Sequence, residues 1–321
     1  MSKTRHSNNR IKFNKILIQN YMLLGILIIV ILVFSLINPR FFTLSNFINV
    51  MRQISMNLII ACGMTLVLIS AGIDLSVGST VALAGCVCCW ALLKWGIFWG
   101  IFAAICVGIL VGFFNGMIVS KLKVPPFIVT LGSMNIIRGI VLLFTKGEII
   151  SNLPPEFLRI GTGRILFIPI PIIIAVIIAI ITHLVLENTE FGLNIKATGG
   201  NYEVARLAGI NVRRILILVY IIIGVLSSIT GVVLSARVAS GQPLGGIGYE
   251  LQAIGATVIG GTSLFGGEGR IAGTFIGAIL IGTLTNGLNL AGVHYFWQQI
   301  AIGLIIIIAV VIDINFRKKT L

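Results

Sequence analysis

Residues 271–312 contain no Asp, Glu, Lys or Arg, a run of 42 residues. A helix crosses a bilayer with about 20 predominantly apolar residues. This stretch alone therefore supplies two crossings, with a turn near Gly292-Val293-His294. Further charge-poor windows lie at 16–37, 53–73, 75–93, 95–120, 124–145, 165–186, 215–236 and 251–267. Together they predict an all-α polytopic membrane protein with about ten transmembrane helices. The window at 251–267 is the weakest, because it is short and rich in glycine. Only 10% of the 321 residues are charged, against about 25% in a soluble domain.

The charges that remain orient the chain. Basic residues near membrane spans concentrate on the cytoplasmic side. With the N-terminus inside and ten spans, the inner segments hold 15 Lys and Arg, the outer segments hold 7, and Arg138 falls within a span. Both termini are therefore expected in the cytoplasm. This divides the chain into a basic N-terminal tail (1–15), a membrane domain (16–313) with a large internal loop (187–214), and a basic C-terminal tail (314–321). The apolar run at 16–37 is 22 residues long. A cleavable signal has a core of roughly 7–15, so this run reads as a retained first span. The net charge of +14 is spread in short runs between apolar segments, with no basic face to bind nucleic acid.

Catalytic chemistry has little to work with. There is no G-x-x-x-x-G-K-[ST] nucleotide cradle, and the glycine-rich stretch 260–270 lacks its lysine. His6, His183 and His294 are dispersed, and the five cysteines (Cys62, Cys86, Cys88, Cys89, Cys106) all fall in apolar windows as packing residues. No catalytic residue, metal or cofactor is expected.

Some positions are informative for packing and movement. Gly108, Gly112 and Gly116 repeat at four-residue spacing, as do Gly269, Gly273 and Gly277. Lipid gives helices little hydrophobic reason to associate, so small residues must let backbones approach. The two stripes fit packing within one subunit or a seam between subunits. Local echoes around Asn115-Gly116 and Asn286-Gly287 suggest two related halves, though not one collinear repeat. Asp74 and Ser76 lie in Gly72-Ile73-Asp74-Leu75-Ser76-Val77-Gly78-Ser79, where Asp74 suits a helix cap or hinge, or a place on a translocation path. Pro125, Pro126, Phe127 and Thr130 open another span, with proline suited to a first helical turn. The choice there is a rigid helix start or a gate. Arg138 lies 12 residues into that span and reads as paired or reaching outward. In the internal loop, Asn201 suits an N-cap, Glu203 complements the helix dipole and Gly209 suits a C-terminal stop. Val204, Leu207 and Ala208 form a short apolar stripe between them. A helix this short is marginal in water, so it reads as a docking element for a cytoplasmic partner.

Several stretches resemble the permease subunits of ribose-type, ATP-driven sugar importers of the bacterial plasma membrane. They are Gly72 to Ser79, Pro125 to Gly132, Ile137-Arg138-Gly139, Gly199 to Ile210, and Gly255 to Gly273. Arg206 departs from the pattern, where a second alanine is usual. The resemblance implies a cytoplasmic ATPase coupled through residues 199–210, an external sugar-binding protein meeting loops 146–164 and 237–250, and a second permease copy. It implies a pathway for a small neutral sugar. The alternative is a stand-alone secondary transporter or channel, which needs ion or proton sites of its own.

Overall fold

The computed structural model describes residue 21 and residues 23–318. The expected N-terminal tail and the last residues of the C-terminal tail lie outside the described residues. Helix α1 is Leu23–Ile37. A 3-10 turn, Pro39–Phe42, leads into α2, Leu44–Ile69. Then follow α3 (Val77–Trp95), α4 (Ile97–Lys121), α5 (Pro126–Thr145) and the short α6 (Pro155–Thr162). Strands β1 (Arg164–Ile165) and β2 (Ile168–Pro169) form a small antiparallel hairpin. After it come α7 (Ile170–Asn188), α8 (Glu190–Gly200), α9 (Tyr202–Leu207), α10 (Val212–Val238), α11 (Tyr249–Ile259), α12 (Ile271–Leu290) and α13 (Tyr295–Lys318).

Seven of these, α2, α3, α4, α5, α7, α10 and α12, are long and apolar enough to cross a membrane. The described parts of α1 and α13 add shorter apolar helices, Leu23–Ile37 and Phe296–Ile305. Prolines and polar caps set several boundaries. Pro126 opens α5, Pro169 precedes α7, and the Thr43 hydroxyl accepts from Asn46 N at the start of α2. Helix α13 continues through 314–318, residues that the sequence assigns to a tail.

The window 251–267 is not a spanning helix. Helix α11 holds 11 residues, about 16 Å at 1.5 Å per residue. It is reached through a run of turns at 239–248 that folds back from the end of α10 to Gly78 at the start of α3. Glycine and proline have poor helix propensity, and this run carries Gly241, Pro243, Gly245, Gly246 and Gly248. Gly246 and Gly248 take φ of 73° and 85°. Beyond α11, the glycine-rich loop folds onto the end of α2, where Gly267 N donates to Ile69 O at 2.8 Å.

Helix α2 runs through the middle of the bundle, with residues 54–69 buried throughout. Helix α4 lies against α10 through its glycines. A Cβ at Gly108 would stand 2.3 Å from Gly224 O, and one at Gly112 only 2.2 Å from Tyr220 O. Gly116 is less tight but still close, 2.8 Å from Ile217 Cα. Gly273 and Gly277 play the same part between α12 and α11, against Gly260 O and Ala256 O. These stripes therefore face neighbours within the chain. Gly269 lies in the loop before α12 and packs on the Ile69 side chain. One end of the bundle gathers α9 and the turns at 70–76, 122–125 and 260–270. The other gathers α6, the hairpin and the start of the run 239–248, where Gly241 pairs with Ile150.

Candidate functional site

Helix α2 stops at Ser70, and the chain turns through Ala71 at φ 61° before α3 begins. Three helices hold this turn. The Ile73 carbonyl accepts from Thr130 Oγ1 on α5 and from Tyr220 Oη on α10, both at 3.2 Å. Asp74 is 2% exposed. Its Oδ1 accepts from Ser76 N at 2.8 Å and from Ser76 Oγ at 2.6 Å, directly ahead of α3. Ser76 Oγ in turn accepts from Asn115 Nδ2 on α4 at 2.9 Å, and Asn115 Oδ1 accepts from the Ser133 hydroxyl on α5. A carboxylate out of water needs such donors, since a buried polar group without a partner costs about 1–3 kcal/mol. The position at a helix N-terminus adds the favourable end of the dipole. The result is one buried polar chain from the hinge to α4 and α5.

A second cluster lies along α5. Arg138 Nη1 donates to Pro243 O at 2.6 Å and to Gly245 O at 3.2 Å. These carbonyls belong to the turning run 239–248, whose backbone has no helix to satisfy it. Non-helical backbone at membrane depth is tolerated only where protein groups or enclosed water pair it. Arg138 therefore pins the run inside the bundle. Glu250 closes the same corner, its Oε1 accepting from Gly248 N at 3.1 Å. Gly78 has no room for a side chain there, since a Cβ would stand 2.3 Å from Gly246 O and 2.4 Å from Glu250 Oε2.

At the opposite end, α8 and α9 form a bracket. Thr189 caps α8 and Asn201 caps α9, its Oδ1 accepting from Val204 N at 3.0 Å. Gly209 ends the turn at φ 88°. Gly199 is pressed on the end of α2, where a Cβ would stand 1.7 Å from Ile69 O. On α9 only Ala205 is buried. Val204 is 61% exposed and Leu207 78%, and Ala208 is exposed beside them. Glu203 pairs with Arg206 at 2.9 Å on the surface.

A cavity of about 340 Å³ lies between bracket and hinge. Gly72 from the hinge, Pro125 and Pro126 from the start of α5, and Tyr202 and Glu203 from α9 all line it. Ser120 and Thr198 line it too, and neither hydroxyl has a hydrogen-bond partner among the described residues. Motifs at sequence positions 72, 125 and 202 thus share one wall.

Comparison with known proteins places this architecture. Residues 46–310 match a family described as the permease component of the branched-chain amino acid transport system. The chain belongs to this permease family. It is 43% identical to the ribose import permease of Haemophilus influenzae, with all of both chains covered. It is 43% identical to that of Bacillus subtilis, covering 97% of this chain and 96% of the other. The L-arabinose transport system permease of Escherichia coli is 38% identical, covering 93% and 91%. No solved structure matches the chain. With its apolar helices and bacterial relatives, the permease is a multi-pass inner-membrane protein.

The permease brings Asp74, Ser76 and Thr130 together around the hinge, and Pro125 and Pro126 to the cavity beside it. Phe127 is exposed on the bundle surface and lines neither. Sequence reasoning missed Asn115, Ser133, Tyr220 and Glu250. The first two were visible as polar residues inside apolar windows. Glu250 was hidden because the run 239–248 reads as an external loop. Helix α8 was missed as well, since its glycines blur the helical period, although Thr189 and Glu190 mark its start.

Proposed function

We propose that this permease forms the translocation pathway of an ATP-driven importer for a small neutral sugar. A single observation carries the reading. The capped helix α9 offers an exposed apolar pair, Val204 and Leu207, on a bracket whose Gly199 is pressed on the end of α2, beside the hinge. A separate cytoplasmic ATPase docked on that pair would move the bracket, the cavity would take up the displacement, and the hinge at 70–76 would pass it to α3, α4 and α5. The chain itself carries no nucleotide cradle, so hydrolysis belongs to the partner. The relatives named for ribose and arabinose favour a sugar over an amino acid as solute. Arg138 is bonded to backbone and Asp74 to Ser76, which suits a solute without charge. An external binding protein delivers that solute to the end bearing α6. Two copies of the permease enclose the pathway. Gly132 and Gly139 on α5 have open space around them, which leaves that face free for the second copy. The chain crosses the membrane ten times, with the run 239–248 and α11 together making one crossing, and both termini are cytoplasmic.

The test is reconstitution. Vesicles holding the permease alone are expected to take up no sugar under an ion gradient. Vesicles holding permease and ATPase, with loaded binding protein outside, are expected to couple uptake to ATP hydrolysis. Ion-driven uptake by the permease alone would overturn the reading in favour of a secondary transporter.

A further inference from the structure

Between α6 and α7 the chain makes a hairpin whose tip is Leu166-Phe167, with Ile165 opposite Ile168 and Arg164 opposite Pro169. Two-residue hairpin turns favour Gly, Asn or Asp where φ is positive. Here Leu166 holds φ 57°, and the tip is as apolar as a helix core. Leu166 is 87% exposed and Phe167 86%, and Ile165 and Ile168 are exposed beside them. None of the described residues covers these side chains, while a polar pair would turn with less strain. Contiguous exposed apolar surface of this kind marks contact with a membrane or a partner.

Depth decides between the two. Pro169 closes the hairpin and is also the residue that opens α7. Helix α7 has 19 residues, about 28 Å at 1.5 Å per residue. The hydrocarbon core is about 30 Å thick, so Ile170 stands at its edge. Helix α7 itself exposes Ile177, Ile180, Ile181 and Leu184, apolar side chains that suit lipid. Three extended residues reach about 10 Å at most. The interfacial layer on each side is about 5–8 Å deep, so even an upright hairpin carries its tip only about 2–5 Å past the lipid headgroups, and a tilted one keeps it among them. Arg164 is exposed at the base of the hairpin, placed to meet lipid phosphates.

We propose that residues 164–169 are a lipid anchor, a hairpin wedge that buries Leu166 and Phe167 in the interfacial layer of the bilayer. The anchor fixes the outer end of α7, and through it α6, whose Thr162 carbonyl is held by Arg52 of α2 at 2.7 Å. Placement in the outer leaflet rests on the topology proposed above, whereas lipid contact does not.

The experiment labels Leu166→Cys, and separately Phe167→Cys, with a nitroxide on a background lacking the five native cysteines, in the assembled transporter. The vesicles contain phosphatidylethanolamine and phosphatidylglycerol. Spin-label collision with oxygen is compared with collision with a water-soluble nickel chelate. Oxygen is expected to dominate at both positions, with no change on adding loaded binding protein. A Thr162→Cys label is expected to favour the nickel chelate. Domination by the nickel chelate at Leu166 and Phe167 would overturn the anchor, as would immobilisation that appears only with binding protein. Sidedness is read by external ascorbate in right-side-out vesicles. A lipid-level label that survives ascorbate would keep the anchor and refute the outer-leaflet topology instead.

Discussion

Leu207→Asp tests the coupling role of α9 most directly. Leu207 is 78% exposed on a helix that contacts its own subunit through Ala205. Full burial of a leucine is worth roughly 1.5–3 kcal/mol, so covering the exposed part of this one contributes about 1–2 kcal/mol to docking. Each 1.4 kcal/mol is a factor of ten in affinity, so Leu207→Ala is expected to weaken ATPase binding about tenfold. Leu207→Asp adds an unpaired charge to the contact, a further few kcal/mol, and is expected to weaken binding at least a hundredfold. Neither change touches the bundle, so membrane level and thermal stability stay at wild type. Arg206→Ala is a control, because its exposed pair with Glu203 is worth about 0.3–0.5 kcal/mol at most. The assay is affinity co-purification of ATPase with tagged permease, run beside sugar uptake. If Leu207→Asp kept both ATPase binding and uptake, α9 would not be the coupling element, and the bracket would be a solvated connection.

Other expectations follow from the packing and the polar groups. Gly112→Val places a side chain where a Cβ already meets Tyr220 O at 2.2 Å; the α4–α10 seam must open, and expression and Tm fall, while Gly303→Val, with open space around it, leaves both unchanged. Arg138→Met strands two backbone carbonyls at about 1–3 kcal/mol each, so hydrogen exchange at 243–248 is expected to rise with membrane insertion intact; unchanged protection would refute the latch. Asp74→Asn keeps an acceptor for Ser76 N and is expected to retain most uptake, whereas full loss would assign the charge itself to translocation. In intact cells, an impermeant thiol reagent on a cysteine-free background is expected to label Thr162→Cys and to spare Ser2→Cys and Thr320→Cys; the opposite pattern would refute the ten-span topology.

Apolar windows located the long helices because lipid forces every backbone group to pair within its own helix, which makes hydropathy alone nearly sufficient. The caps of α9 were legible for the same kind of reason. Asn201 and Gly209 satisfy local rules that depend on neighbours in sequence. What the sequence could not specify was which polar residues meet. Asn115 and Ser133 are 18 positions apart, Arg138 and Pro243 are 105 apart, and no local periodicity links them. The run 239–248 looked external because glycine, proline and polar residues make loops in water. Only the tertiary structure, with Arg138 placed to pair its carbonyls and Gly78 leaving it space, lets such a backbone fold into the bundle. The glycine stripes show the same division. Their spacing announced close helix contact, but both faces of a helix are alike in lipid, so the choice of α10 as partner for α4 was made by the shape of the whole bundle.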